Sequence, residues 1–294
     1  MRFPNIYNKI VTLMKFIRIN ENLIFEHVSE KPTTILDEIQ MIETSIDTNI
    51  NKDIKIPKDV FDSLELKNEL NPELFKEDKI IPKIKNKLIQ IAKDFIKDIK
   101  LDNNLIIKDI ILTGSLANFN WSKFSDVDLH IILDTNQLDM EPDAVVDYLD
   151  SKKSLWNQNH DIKILDYSVE LYAQDIKDKL VATAIYSLIK DKWIKKPIRK
   201  EFNVNKQEIK QKALRFIKQL KDVRKDYQED DFKRALKKAD KLKNKIKQMR
   251  NSGLEKGGEF SLENLTFKVL RRTAFLDQLY SLKNKAYDKS MSIL

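Results

Sequence analysis

Apolar residues recur at three- and four-residue intervals through Ile80, Ile81, Ile84, Leu88, Ile91, Phe95 and Ile99. That spacing predicts an amphipathic helix of about five turns. A strand-like run, Leu105 to Leu112, follows directly, then Gly114-Ser115, a polar stretch, and a second apolar run ending at Leu133. Asp126 and Asp128 flank Val127 at the start of this second run. Strand alternation puts both carboxylates on one face and turns Val127 and Leu129 towards a core.

Further along, Glu141-Pro142-Asp143 opens a helix that runs to about Trp156, since Pro and early acids suit a helix N-terminus. Asn157 to Asp161 reads as a turn, and Ile162 to Ala173 as a further extended run carrying Glu170. Ala184 to Ile194 has the pattern of a short hairpin about Lys190-Asp191-Lys192. These elements together predict a small mixed sheet with helices mainly on one side.

Past Lys195 the period is helical throughout. Ala213, Leu214, Ile217, Leu220 and Val223, then Ala235, Leu236, Ala239, Leu242, Ile246 and Met249, mark two long amphipathic helices hinged near Glu229-Asp230-Asp231. Leu262 to Leu282 supplies a third, and a three-helix bundle is the simplest packing. Between the second and third helices, Gly253 is placed to cap the preceding helix and Gly257-Gly258 to break it before Ser261. That loop, with Lys256, reads either as a plain connection or as a phosphate seat. At the other end, Phe3 to Phe16 and Thr33 to Ile46 have helix-like spacing within an otherwise aperiodic arm. The expected organisation is an arm over 1–70, a catalytic domain over 71–200 and a helical domain over 201–294.

Charge sharpens this division. Residues 195–250 hold 21 Lys plus Arg against 8 Asp plus Glu, a local excess larger than the net +8 of the whole chain, so the remainder is net acidic. Segregated positive charge favours an anionic partner. With no cysteine, disulfides and thiolate metal sites are excluded. His27, His130 and His160 are too scattered to suggest zinc by spacing. The metal this composition allows is a hard, oxygen-ligated Mg²⁺ or Mn²⁺. No apolar run approaches the roughly 18 to 20 residues of a membrane span. Met1 to Arg18 lacks a small-residue cleavage site, so the expected location is the cytoplasm.

The candidate chemistry gathers between the two central strands. Gly114 lets the backbone turn tightly after a strand and approach a ligand, and Ser115 offers a hydroxyl and backbone N–H near an expected helix start, where anions bind. Two carboxylates on one strand face repel, and a divalent cation relieves the repulsion. Lys123 lies between the two motifs, where a lysine can touch phosphate, and Trp121 beside it can stack on a base or simply pack. His130 shares the parity of the aspartates and is expected to make an ordinary hydrogen bond, and His160 to be a turn residue.

A Gly-Ser pair followed about a dozen residues later by Asp-x-Asp between apolar residues resembles the signature of the DNA polymerase β-like nucleotidyltransferase superfamily. The block also resembles predicted nucleotidyltransferases of tailed bacteriophages, which would place the chain in a host cytoplasm. The resemblance implies an α+β fold, a polymerase β-like core followed here by a basic α-helical bundle. It implies Gly114 and Ser115 as the triphosphate grip, with Lys123 near it, and Asp126 and Asp128 as Mg²⁺ ligands. A third carboxylate on a neighbouring strand is expected. Glu170, between Val169 and Leu171, fits, and Asp166 is the alternative on the same face. The implied reaction moves a nucleoside monophosphate from a nucleoside triphosphate to an acceptor hydroxyl, with RNA the candidate acceptor. A silent binding module and a small-molecule or protein nucleotidylating enzyme remain the other readings.

Overall fold

The computed structural model describes residues 54–99, 106–136, 138, 141–199, 201–202 and 205–293. The two helices expected in the N-terminal arm lie outside them. The chain divides into two compact units, Pro57–Lys206 and one containing Gln207–Leu294.

The first unit is built on a six-stranded mixed sheet of order β5-β6-β4-β3-β7-β8. Its strands are β3 (Ile106–Thr113), β4 (Val127–Asp134), β5 (Lys163–Ile164), β6 (Tyr167–Asp175), β7 (Ile185–Ser187) and β8 (Lys192–Lys195). Only β4 and β6 run parallel; β3 pairs antiparallel with both β4 and β7. A parallel pair requires a crossover, and α3 (Pro142–Asn159) supplies it. Along β4 the residues alternate strictly, with Val127, Leu129, Ile131 and Leu133 fully buried and Asp128, His130, Ile132 and Asp134 only half-buried. The buried row joins one core with Leu88, Ala92 and Phe95 of α2 (Pro82–Asp98) and with Val145 and Leu149 of α3.

Beyond its short pairing with β5, the outward edge of β6 is closed by a side chain. The Leu171 N–H donates to Asn157 Oδ1 at 3.1 Å, and Asn157 Nδ2 donates to the Leu171 carbonyl at 3.0 Å. One amide at the end of α3 thus satisfies both outward backbone groups of the residue next to Glu170. On the opposite side, the two-stranded hairpin β1 (Phe75–Lys76) and β2 (Lys79–Ile80) turns through Glu77 and Asp78, both with positive φ. Trp193 stacks on Phe75 at 5.4 Å and donates through Nε1 to the Asp78 carbonyl at 2.8 Å. The short helix α1 (Lys58–Asp62) precedes this hairpin.

In the second unit the helices are α4 (Lys206–Gln228), α5 (Phe232–Gly257), α6 (Leu262–Arg271) and α7 (Phe275–Met291), with a 3₁₀ turn at Gly258–Phe260. The hinge between α4 and α5 lies where the acidic triplet predicts it, and Asp231 caps α5 by accepting from the Arg234 N–H. Two expectations are corrected. The third helix is two, because the chain breaks at Arg272–Ala274, where Thr273 Oγ1 donates back to the Leu270 carbonyl. Gly253 does not cap α5 but lies buried inside it, where a methyl group would come within 2.4 Å of Glu263 Cβ. Its smallness admits the close approach of α6, and Gly258, at positive φ, ends the helix. The buried Arg224 donates to Gln278 Oε1 at 2.6 Å and the buried Asp226 pairs with Lys238 at 2.6 Å, tying α4 to α7 and to α5.

The result is an α+β architecture in which a unit built on a mixed sheet is followed by helices. Among the described residues no helix is long and apolar enough to cross a membrane. Leu129→Ala, which empties a fully buried position of β4, should lower unfolding free energy by about 2–5 kcal/mol. Leu214→Ala on the exposed side of α4 should stay within about 0.5 kcal/mol. Denaturant unfolding of the two proteins checks this.

Candidate active site

The strand pattern assembles the site. Thr113 closes β3 opposite Asp128, and Glu170 on β6 is in parallel register with Asp128 on the other side. Side chains of paired residues point to the same face, so the two carboxylates stand abreast on the face away from Val127, Leu129 and Leu171. Asp126 lies just before β4, half-buried and two residues from Asp128. Asp166, the alternative third acid, is exposed in the β5–β6 turn next to Leu165, which takes a positive φ. Register therefore brings Glu170, and not Asp166, beside Asp128.

Gly114 follows β3 with φ of +73°, and a methyl group there would sit 1.7 Å from Asp128 Oδ2. The Asp128 carboxylate occupies the space that the missing side chain leaves. No helix follows Gly-Ser: residues 114–120 form successive turns, with the Asn118 N–H donating to the Ser115 carbonyl. Of the short polar helix or loop expected after Gly-Ser, the structure has the loop, and what fixes it is burial of Leu116 and Ala117 together with a bond from Asn118 Nδ2 to Thr183 Oγ1 at 2.9 Å. Ser115 Oγ donates to Ser125 Oγ at 2.7 Å, and Ser125 Oγ also accepts from the Ser122 N–H. These bonds staple the Gly-Ser loop to the segment that leads into Asp126.

Lys123 is placed elsewhere. Its ammonium pairs with Asp59 at 2.7 Å and holds that carboxyl below its usual range. Trp121 packs, its Nε1 donating to the Glu69 carbonyl. His130 Nδ1 is 2.8 Å from Gln174 Oε1, the ordinary hydrogen bond its strand parity suggested. Burial, and to a smaller extent the Lys153 charge, push its pKa down against the bond to Gln174, which raises it. His160 ends α3, stacked on Trp156.

Sequence reasoning missed Tyr172. It stands two residues beyond Glu170 on the same face, stacks on His130 at 4.6 Å, and donates its hydroxyl to Glu170 Oε2 at 2.7 Å. Burial raises its pKa well above the ordinary phenol range, and the bond to Glu170 and the charges of Glu170, Asp128 and Asp126 raise it further. All three candidate carboxylates therefore act on one hydroxyl, which stays protonated and can only donate to Glu170. The i, i+2 parity from Glu170 was the signal that could have found it.

The donors fit a hard divalent cation in kind, being carboxylate oxygens on one sheet face. As placed, they do not close on a single point: among the described residues no group of three or more His, Asp or Glu side chains is arranged to hold a metal ion.

The family model for the nucleotidyltransferase domain matches residues 89–250, from the middle of α2 to α5, which is more than half of the chain. The chain belongs to the nucleotidyltransferase-domain family. Neither the curated proteins nor the solved structures compared with it gave a match. The family assignment supports nucleotidyl transfer as the general chemistry of this nucleotidyltransferase, and the Gly-Ser loop and Asp-x-Asp strand fall inside the matched segment.

Gly114 and Gly258 share a positive φ, but a side chain at Gly258 would meet no described atom within 4 Å. Both alanine substitutions should therefore cost about 1–3 kcal/mol of backbone strain, while only Gly114→Ala displaces the Asp128 carboxylate. Nucleotidyl transfer normalised to folded protein should fall in Gly114→Ala and be retained in Gly258→Ala.

Proposed function

We propose that this nucleotidyltransferase moves a nucleoside monophosphate from a nucleoside triphosphate to an acceptor hydroxyl, in a Mg²⁺- or Mn²⁺-dependent reaction that releases pyrophosphate. The observation that supports this best is the parallel register of Asp128 with Glu170 above the opening left by Gly114. The acceptor oxygen forms a bond to the α-phosphorus, the bond from that phosphorus to the α–β bridging oxygen breaks, and the electron pair leaves with pyrophosphate.

Asp126, Asp128 and Glu170 would hold the divalent cation, which when bound neutralises charge on the phosphates and lowers the acceptor's pKa. Glu170, the member of the set on β6, takes or orients the acceptor proton. The backbone N–H groups of the Gly114-Ser115 turn face the β- and γ-phosphates. Ser115 can join them by rotation: when Ser125 donates to Ser115, the Ser115 hydroxyl proton is released for a phosphate oxygen. Lys123, held by Asp59, is given no role in this scheme.

RNA is the proposed acceptor class because the basic excess over residues 195–250 suits a polyanion. One observation favours a small-molecule acceptor as the second reading. A cleft of about 530 Å³ lies between α3 and β6, floored by Val145 and Leu149 and bordered by Lys153, Tyr172 and Asp175.

Incubation with each labelled nucleoside triphosphate, Mg²⁺ or Mn²⁺ and total RNA tests the proposal. Wild-type protein should label RNA, and Asp128→Asn should lower the rate by about two orders of magnitude or more. Its thermal stability should be unchanged or slightly higher, because one of the repelling charges is gone. Label confined to small molecules would move the acceptor to the cleft. Equal activity of wild type and Asp128→Asn, or no incorporation with any acceptor, would remove the proposal.

A further inference from the structure

The carboxylate of a glutamate on a strand face has three rotatable bonds and, left alone, spreads over many orientations. Glu170 is not left alone. Its Oε2 accepts from the Tyr172 hydroxyl at 2.7 Å, and Tyr172 is itself constrained from several directions. The ring lies nearly parallel to the His130 imidazole, 15° apart with centroids 4.6 Å apart, and His130 is in register with Tyr172 across β4 and β6. Gln174, next on the same face of β6, fixes the imidazole through its Oε1 at 2.8 Å. Lys153 of α3 places its ammonium 5.3 Å from the centre of the Tyr172 ring. A chain of contacts therefore runs from Gln174 through His130 and Tyr172 to a single oxygen of Glu170, and only its last member is a carboxylate.

On this geometry we infer that Tyr172 is a positioning residue for nucleotidyl transfer: its hydroxyl holds Oε2 of Glu170 and so reserves Oε1 for the cation or the acceptor hydroxyl. The inference rests on the reading that Glu170 works in the transfer. Its physical content is preorganisation. The rotamer freedom of Glu170 is lost when the chain folds, not when the transition state forms. A stacked aromatic ring alone would also pack this face, so the hydroxyl is the atom to test. In the proposed scheme the nucleoside triphosphate is held by the Gly114 loop and the two aspartates while Glu170 serves the acceptor, so removal of the hydroxyl should act on turnover and not on triphosphate binding.

Tyr172→Phe keeps the ring against His130 and deletes only the hydroxyl, so it should unfold near the wild-type temperature. Its kcat should fall by about 10- to 100-fold, the range seen when partners of metal-ligating groups are removed, with KM for the triphosphate unchanged. Mn²⁺ titrated into the full chain without nucleotide, followed by its electron paramagnetic resonance signal, should bind Tyr172→Phe more weakly than wild type. The deciding comparison is the double mutant Glu170→Gln/Tyr172→Phe, which should be no slower than Glu170→Gln alone, because the hydroxyl acts through that carboxylate. Wild-type kcat and Mn²⁺ affinity in Tyr172→Phe, or losses that multiply in the double mutant, would overturn the inference while Glu170 kept its role. Wild-type turnover in Glu170→Gln would instead overturn the assignment of Glu170, and the inference with it.

Discussion

Like charges gathered on one face of a sheet are the constraint on which the rest of the first unit depends. Asp126, Asp128 and Glu170 all bear on the same phenol, and nothing about carboxylates favours that company. They stay together because the opposite face is continuous core. Val127, Leu129 and Leu171 are fully buried directly behind them, and each such side chain contributes about 1.5–3 kcal/mol. Ile131 and Leu133 extend that burial along β4. The strands are held by their apolar side, and the acids on the other side have no independent choice of position.

Much of this was readable before any coordinates. The alternation along Val127 to Leu133, the helical spacing from Ile84 to Phe95 and the acidic hinge between the two long helices each reflect a single strong signal, and each lies where that signal puts it. Glu170 is preferred to Asp166 in the sequence only as an acid between apolar neighbours, because register between strands far apart in sequence is set by packing and not by local pattern. The β1–β2 hairpin carries Glu77-Asp78 in its turn instead of the Asn-Gly that would announce it. The break at Arg272–Ala274 contains neither Gly nor Pro, and so was invisible. Lys123 was drawn to the phosphates by proximity in sequence, whereas Asp59, more than sixty residues earlier, has it.

The two units divide their electrostatic character. The sheet unit concentrates acids on a surface where a cation would be welcome, and residues 195–250 concentrate base. Positive charge segregated in sequence from the carboxylate strands makes encounter with an anionic nucleotide sensitive to ionic strength.

The side-chain amide of Asn157 stands where the pairing of β5 with β6 has ended, and its partner is the residue immediately after Glu170. That bond acts as an axial ruler between helix and strand. The height of Glu170 along β4 is fixed from the end of α3 as well as by the pairing of β5 with the start of β6. Between Asp161 and β6 only the exposed Leu165-Asp166 turn lies outside these constraints, because Lys163 and Ile164 form β5 and Ile164 is buried in the core. The same fold can vary this turn while the carboxylate it delivers remains where it is.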